Sequence, residues 1–317
     1  MTHAPAGDEK NREDRRENLR HRLQKCRDAS AFQAAMEDTI KRALAEDIGP
    51  ADVTAEAIFG PQDSANARLV AKQDGVLAGL PVFAQVFHHL GIADKDIEAL
   101  AEDGQAVKSG QTLARISGPV TALLKAERVA LNLLQRASGI ATATHRFVHE
   151  AQRNGAAHLR VLDTRKTAPN LRWLDKYAVL AGGGENHRFG LYDMALIKEN
   201  HIRAAGGIAA AVQKVREYQK ARGLCVPIEI EVTDLHELRQ ALALRPDRIL
   251  LDNMDNEAVR QAVAITAGSV PLEASGNVTL DRLPSLAQTG VDCVSIGALT
   301  HSVQALDLSL LITEPTD

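Results

Sequence analysis

The sequence predicts an α/β protein whose larger part is a parallel sheet covered by helices, preceded by a smaller α+β region. Three observations predict it. Short apolar runs recur between helical segments from about residue 127 onward. Nearly every run ends in a polar or glycine residue, and no Gly-x-Gly-x-x-Gly turn follows any of them. Strand, helix, strand at this spacing argues for right-handed βαβ units. Reactive residues at the ends of several different strands favour a closed α/β barrel. An open doubly wound sheet would gather them at one switch point and usually carry the glycine turn.

The bulk composition narrows the classes. With 317 residues, 45% of them hydrophobic, the chain is long enough for one large domain and a smaller one. A net charge of -4 gives no global attraction to nucleic acid, and 3% aromatic content argues against base-stacking platforms. Cys26, Cys225 and Cys293 show neither metal-ligand nor redox spacing, which fits a reducing compartment. No apolar run approaches the roughly 20 residues of a membrane span, and Met1 to Ser30 lacks a signal-peptide core. A cytoplasmic protein that binds neither membrane nor nucleic acid is expected.

Taken in order, residues 1–30 are charged and poor in core-forming side chains, so a disordered or frayed helical extension is expected. Phe32, Ala35, Met36, Ile40 and Leu44 then give Ala31 to Glu46 the spacing of an amphipathic helix. Arg68 to Ala71 and Gly75 to Gly79 read as strands around a turn at Asp74-Gly75, and Pro81 to Leu90 as a helix with proline in its first turn. The segments 103–110 and 112–118 resemble the hammerhead turns of biotinyl and lipoyl carriers. Lys108 lacks the context of a modified lysine, however, so a small domain with tight turns is the expectation. A long helix follows from about Glu127, with Val129, Leu131, Leu133 and Leu134 apolar.

The barrel strands are expected at His158–Leu162, Ala195–Ile197, Ile228–Val232, Arg248–Leu251, Val270–Leu272 and Val291–Ile296. Their runs lack clean alternation, as strands covered on both faces do. Helices are expected at Asp234–Leu244, Asn256–Ala267 and Leu280–Gln288, each opening near a capping Asp, Asn or Thr.

Four groups of residues carry the chemistry. Arg165, Lys166, His187, Arg188 and Lys198, with Arg172 and Arg128 as further candidates, form a cationic set on several loops. Planar arginine forks and lysine point charges together imply a ligand with two carboxylates, several phosphates, or both. The triplet Gly182 to Gly184 before Glu185-Asn-His-Arg188 would let backbone amides approach a ligand. Glu231 and Asp252, at corresponding positions on successive strands, suit Mg²⁺ held partly by substrate phosphate. Glu229 lies two residues before Glu231, so both share a face and point into the barrel interior. Finally, Ser275-Gly276-Asn277 and Ile296-Gly297-Ala298 follow the last two strands, where barrels commonly bind phosphate through backbone amides. His88, His89 and His301 show no metal spacing and are expected to be structural.

These motifs closely resemble the quinolinate phosphoribosyltransferase family. The matching stretches are Glu127-Arg-Val-Ala-Leu-Asn132, Ser138 to Thr144, Asp163-Thr-Arg-Lys-Thr167, Lys176 to Val179 and Gly182 to Leu191. They continue through Leu196 to His201, Leu251-Asp-Asn253 and Gly297 to Ser302, so the similarity covers about residues 31 to 315. It implies a type II phosphoribosyltransferase: an incomplete α/β barrel over 127–298, and a small open-faced sandwich over 31–126 completed by about 299–317. It also implies a homodimer in which the small domain of one subunit covers the barrel mouth of the other.

The implied reaction joins quinolinate to phosphoribosyl pyrophosphate with Mg²⁺, giving nicotinate mononucleotide, pyrophosphate and CO₂. By motif, Arg165, His187, Arg188 and Lys198 would bind quinolinate, with Arg128 arriving from the partner. Lys166, Glu231 and Asp252 would meet ribose, pyrophosphate and metal and be catalytic, and Thr164 would bind substrate beside them. Ser275 to Asn277 and Ile296 to Ala298 would hold the 5-phosphate. Asn170 stands where the family usually carries glycine; asparagine tolerates left-handed dihedrals, so the turn should survive. The alternatives are a molybdenum-transport-associated relative, an idle phosphosugar-binding protein of the same fold, or a Schiff-base aldolase using Lys198.

Overall fold

The computed structural model describes residues 6–156 and 158–313. In chain order the helices are α1 (Ala6–Asp28), α2 (Ser30–Ile48), α3 (Ala55–Ile58), α4 (Leu80–His89), α5 (Val120–Arg153) and α6 (Arg172–Ala181). They continue as α7 (Glu199–Ala205), α8 (Ile208–Arg222), α9 (Leu235–Ala243), α10 (Asn256–Thr266), α11 (Leu283–Ala287) and α12 (Ala298–His301). The strands are β1 (Ser64–Ala71), β2 (Gly75–Val76), β3 (Ile97–Ala99), β4 (Ala106–Val107), β5 (Thr112–Pro119) and β6 (Arg160–Leu162). The later ones are β7 (Ala195–Ile197), β8 (Ile228–Val232), β9 (Arg248–Asp252), β10 (Leu272–Ser275), β11 (Cys293–Ser295) and β12 (Leu308–Thr313).

The chain divides into two compact units. The first comprises the described parts of Met1–His145 and Thr300–Asp317 together with Thr167–Gly183; the second is Arg146–Lys166 with Gly184–Leu299. This corrects the expected boundary at residue 127. Helix α5 is one continuous 34-residue element, so no break falls at its predicted start. Residues 167–183 join the first unit because α6 packs Trp173 and Tyr177 against Phe32 of α2.

In the first unit β12, β1, β5 and β3 form an antiparallel sheet in that order, and β2 pairs with β4. The predicted face of α2 is buried at Phe32, Met36, Ile40 and Leu44. Of the two alternatives expected for the extension, a disordered or a helical one, residues 6–28 take the helical; residues 1–5 lie outside the described residues. The missed signal is a sparse stripe, Leu19, Leu23 and Cys26, of which Leu23 is buried, while Arg20 bonds Glu102. In the segment that resembles a carrier turn, Lys108 simply pairs with Asp74 at 2.8 Å.

The second unit holds a parallel sheet in the order β6-β11-β10-β9-β8-β7. Glu185 extends it beyond β6, its amide donating to Val161 and its carbonyl accepting from Asp163. From that edge to β8 is five strand spacings, roughly 24 Å if the sheet were flat. Yet His187, two residues past Glu185, lies 2.9 Å from Glu229 on β8. The sheet therefore curls into a barrel. It stays incomplete, because among the described residues no ladder joins β7 to the Glu185 segment. Asp234 and Asp255 cap α9 and α10 as expected, whereas α11 is shorter than predicted and β10 runs on to Ser275. No helix among the described residues is long and apolar enough to cross a membrane.

Close approach rather than helix propensity governs Gly139 in α5. A Cβ there would sit 2.2 Å from the Gln304 carbonyl oxygen. Alanine replacing a mid-helix glycine normally stabilises by roughly 0.5–1 kcal/mol. Here Gly139→Ala should instead destabilise by about 1–3 kcal/mol through overpacking. Urea denaturation reads the sign, and a gain in stability would refute the contact.

Candidate active site

Thr164, Arg165, Lys166, His187, Arg188, Lys198, Glu231, Asp252 and Ser275 line one hollow of about 370 Å³, with Leu196, Leu250, Glu273 and Ser295. Period-2 geometry explains the convergence. Glu229 and Glu231 share the interior face of β8, as Arg248, Leu250 and Asp252 do on β9 and Glu273 and Ser275 on β10. The interior-facing residues toward the C-terminal ends of the strands reach the hollow, while below them Glu229 is buried and Arg248 half-buried.

The cations enter from one side. Thr164 Oγ1 accepts the Lys166 amide at 3.0 Å, shaping the turn that presents Arg165 and Lys166. Arg188 is buried and its guanidinium donates to the Met194 carbonyl. Burial, and then the nearby charge of Arg165, lower its pKa. Two guanidiniums held this close, partly desolvated, favour the arrival of an anion. Lys198 Nζ lies 2.8 Å from Glu231, linking the cationic side to the carboxylates. Burial, and then Glu231, raise the Asp252 pKa, while Asn253 donates to its Oδ2 at 2.9 Å.

Beneath the hollow lies a buried ionic base. His187 Nε2 is 2.9 Å from Glu229 and 3.4 Å from Glu273, and Arg248 Nη1 is 2.8 Å from Glu273. Burial opposes the imidazolium, but hydrogen bonds to Glu229 and Glu273 outweigh it and raise the His187 pKa to about 9. The Arg188 amide donates to Nδ1 at 2.7 Å, which pulls the other way, toward a neutral ring. In either charge state the Nε2 proton faces the carboxylates. Burial also works against ionising Glu273, yet His187 and its other partners hold its pKa down at about 2, whereas burial pushes Glu229 up. Asp163, fully buried, accepts the His187 amide at 2.9 Å and fixes the loop from below.

Several expected residues lie elsewhere. Arg128 is exposed on α5 in the first unit, and Arg172 is also in that unit, where it donates to Thr167. Gly276, Asn277, Ile296, Gly297 and Ala298 are outside the hollow's lining, although they follow Ser275 and Ser295 directly. The glycine triplet is a helix stop: the Gly182 and Gly183 amides donate to Ala178 and Leu180. Asn170 takes φ 64°, the left-handed conformation its place in the turn required. Among the residues not anticipated as part of the site are Arg248 and Ser295. Alternation along Ile228-Glu-Ile-Glu-Val232 and Arg248-Ile-Leu-Leu-Asp252 was the available signal for the buried charges.

Comparison with known proteins follows the same geometry. Residues 52–138 match the quinolinate phosphoribosyl transferase N-terminal domain and residues 140–311 its C-terminal domain. The chain belongs to the quinolinate phosphoribosyltransferase family. It is 44% identical over 270 residues to a probable nicotinate-nucleotide pyrophosphorylase [carboxylating] of Bacillus subtilis, covering 84% of this chain and 90% of that one. A chloroplastic nicotinate-nucleotide pyrophosphorylase [carboxylating] of Arabidopsis thaliana is also 44% identical, over 289 residues, with 86% and 81% covered. The solved structure of NadC from Streptococcus pyogenes superposes with a TM-score of 0.83 at 40% identity, covering 91% of this chain and 99% of that chain. The family's C-terminal domain takes in every residue of the hollow, and its junction falls at Gly139, inside α5.

The buried base gives a pH signature. Glu273 has a lowered pKa, so its contribution to stability is complete above the unfolded value of 4.5 and is lost as pH falls through about 2. His187 has a raised pKa, so its contribution is complete below 6.5 and is lost as pH rises through about 9. Glu273→Gln should destabilise by about 3–5 kcal/mol near pH 6 and flatten the acid limb of the stability curve. Thermal melts from pH 3 to 9 test this; an unchanged acid limb would show that Glu273 is not held ionised.

Proposed function

We propose that this protein joins quinolinate to phosphoribosyl pyrophosphate, releasing pyrophosphate and CO₂ and yielding nicotinate mononucleotide for NAD synthesis. The observation that carries the reading is the gathering of Arg165, Lys166, Arg188 and Lys198 with Glu231 and Asp252 in one hollow. A dicarboxylate beside a pyrophosphate-bearing sugar is a heavily anionic pair and needs such a cationic wall. The carboxylating names of the relatives favour this enzyme over a molybdenum-transport-associated or idle phosphosugar-binding protein. Lys198, ion-paired with Glu231, lacks the desolvated surroundings of a Schiff-base lysine.

Arg165 and Arg188 hold the two carboxylates of quinolinate, and Lys198 supports its edge. His187, with both ring nitrogens engaged by protein groups, orients the Arg188 segment and offers its ring to the ligand. Thr164 and Lys166 meet the ribose and pyrophosphate, and Ser275 to Asn277 with Ile296 to Ala298 receive the 5-phosphate. Among the described residues, no protein acceptor takes the Gly276 or Asn277 amide, as a phosphate cradle requires.

The ring nitrogen donates its lone pair to the anomeric carbon while the bond from that carbon to pyrophosphate oxygen breaks. Positive charge develops on the sugar, and Glu231 and Asp252 stabilise it electrostatically. The resulting pyridinium accepts the electron pair of the adjacent carbon–carboxylate bond, CO₂ leaves, and a proton takes its place. Lys166 balances charge on the departing pyrophosphate. Alignment of two bound substrates supplies much of the acceleration.

The same two carboxylates would hold Mg²⁺. Their hard oxygens suit it, and the rise Glu231 imposes on the Asp252 pKa marks two anions close enough to share a cation. When bound, the ion would neutralise pyrophosphate charge. The reading includes a homodimer in the cytoplasm, with Arg128 of each subunit serving its partner. Its exposure, and the exposed apolar pair Leu191 and Tyr192 near Arg188, support a covering partner.

Protein supplied with quinolinate, phosphoribosyl pyrophosphate and Mg²⁺ should release labelled CO₂ from the 2-carboxylate; turnover of nicotinate alone would overturn the assignment. Arg165→Ala should weaken quinolinate binding at least about 30-fold, from the roughly 2–5 kcal/mol lost when one partner of a buried charge pair is cut. Calorimetry measures this, and unaltered affinity would remove Arg165 from the site.

A further inference from the structure

The two turns that follow β9 and β10 are held in left-handed backbone conformations by one side chain outside the hollow. Asn253, Gly276 and Asn277 have φ of 54°, 88° and 52°, all left-handed. Glycine and asparagine adopt that conformation more readily than other residues, but it still leaves the turn carbonyls in need of partners. Arg282, just before α11, partners two of them. Its Nη1 donates to the Gly276 carbonyl at 3.0 Å, Nη2 to the Met254 carbonyl at 2.6 Å, and Nε to Asn256 Oδ1 at 3.2 Å. The Asn253 amide donates to the Ser275 carbonyl at 2.9 Å, and Asn277 donates to Asn253 Oδ1 at 3.3 Å, so the two turns form one braced unit. Gly276 is obligatory there, since a Cβ would fall 2.1 Å from Asn253 Oδ1.

Peptide planarity turns this bracing into an orienting device. In a trans peptide the carbonyl and the following N–H point in opposite directions. By gripping the Gly276 carbonyl, Arg282 aims the Asn277 amide away from itself. Its partners are all neutral acceptors, and among the described residues no carboxylate pairs with it. The guanidinium charge therefore stays available to an anion received at the turn.

We propose that Arg282 is a positioning residue for the phosphoribosyl half of the substrate pair: it sets the Ser275–Asn277 turn and supplies positive potential behind it, without touching quinolinate. This rests on the reading that the turn receives the 5-phosphate. Lysine cannot replace the fork, because one ammonium cannot span two carbonyls and an amide.

Steady-state kinetics on Arg282→Met and Arg282→Lys provide the test. Arg282→Met should raise the KM for phosphoribosyl pyrophosphate at least about tenfold, the equivalent of one hydrogen bond to a charged group. Arg282→Lys should fall between it and the parent, guanidinium ion should partly rescue Arg282→Met, and the KM for quinolinate should stay within about twofold. A KM for phosphoribosyl pyrophosphate within twofold of the parent in either variant overturns the proposal, as does equal weakening of both substrates. Should Arg282→Met fail to fold, Arg282→Lys decides by the same split. If Gly276→Val, whose side chain cannot fit beside Asn253, leaves that constant unchanged, the phosphate assignment itself fails, and the role of Arg282 with it.

Discussion

Two carboxylates inside the barrel, Glu229 and Glu273, set the terms for everything above them. Removing an ion from water costs several kcal/mol even after relaxation, so neither can stay charged there alone. Arg248 supplies one permanent cation from the neighbouring strand, and the Nε2 proton of His187 supplies the rest. Because His187 comes from the segment beyond β6 while Glu229 lies on β8, this pairing holds together strands far apart in the sheet order. It therefore supports the curl of the barrel and fixes the loop that carries Arg188. Asp163 anchors the same loop from its other side.

On that base the mouth is divided by charge. The ends of β6 and β7 and the loop at His187-Arg188 present cations, while β8 and β9 present Glu231 and Asp252. A neutral or uniformly charged wall could not serve both partners of the proposed reaction. One is a flat dianion, and the other develops positive charge at a single carbon. The Lys198–Glu231 pair sits where the two halves meet and keeps each poised without an oversized field of either sign. The turns beyond Asp252 and Ser275 place Asn253, Gly276 and Asn277 in left-handed backbone, and Arg282 donates to a carbonyl of each turn.

Much of this was legible along the chain. The positions of most barrel strands, the caps at Asp234 and Asp255, and the placement of Arg165, Lys166, Lys198, Glu231 and Asp252 at or just past strand ends follow from local patterns. Asn170 could be placed in a left-handed turn because the family usually carries glycine there and asparagine tolerates that conformation. Other features were not legible. The stripe on α1 is too sparse to stand out from its charges, and the glycine triplet looks like a ligand nest although it closes α6. The rhythm of apolar runs could not show that α5 passes through the unit boundary or that residues 167–183 join the first unit, because both depend on side-chain packing between distant segments.

Local pattern by itself determined the α/β class, the family and the chemical character of the site, since periodicity and motif spacing are written in consecutive residues. Only the tertiary structure decided which charges meet: that Arg248, Glu229 and Glu273 form the buried base, that both nitrogens of His187 are occupied by protein, and that Arg282 braces two turns. The reason is geometric. A strand's alternation tells which face a side chain takes, but its partner is set by how far the sheet curls, and curl is a property of all the strands together.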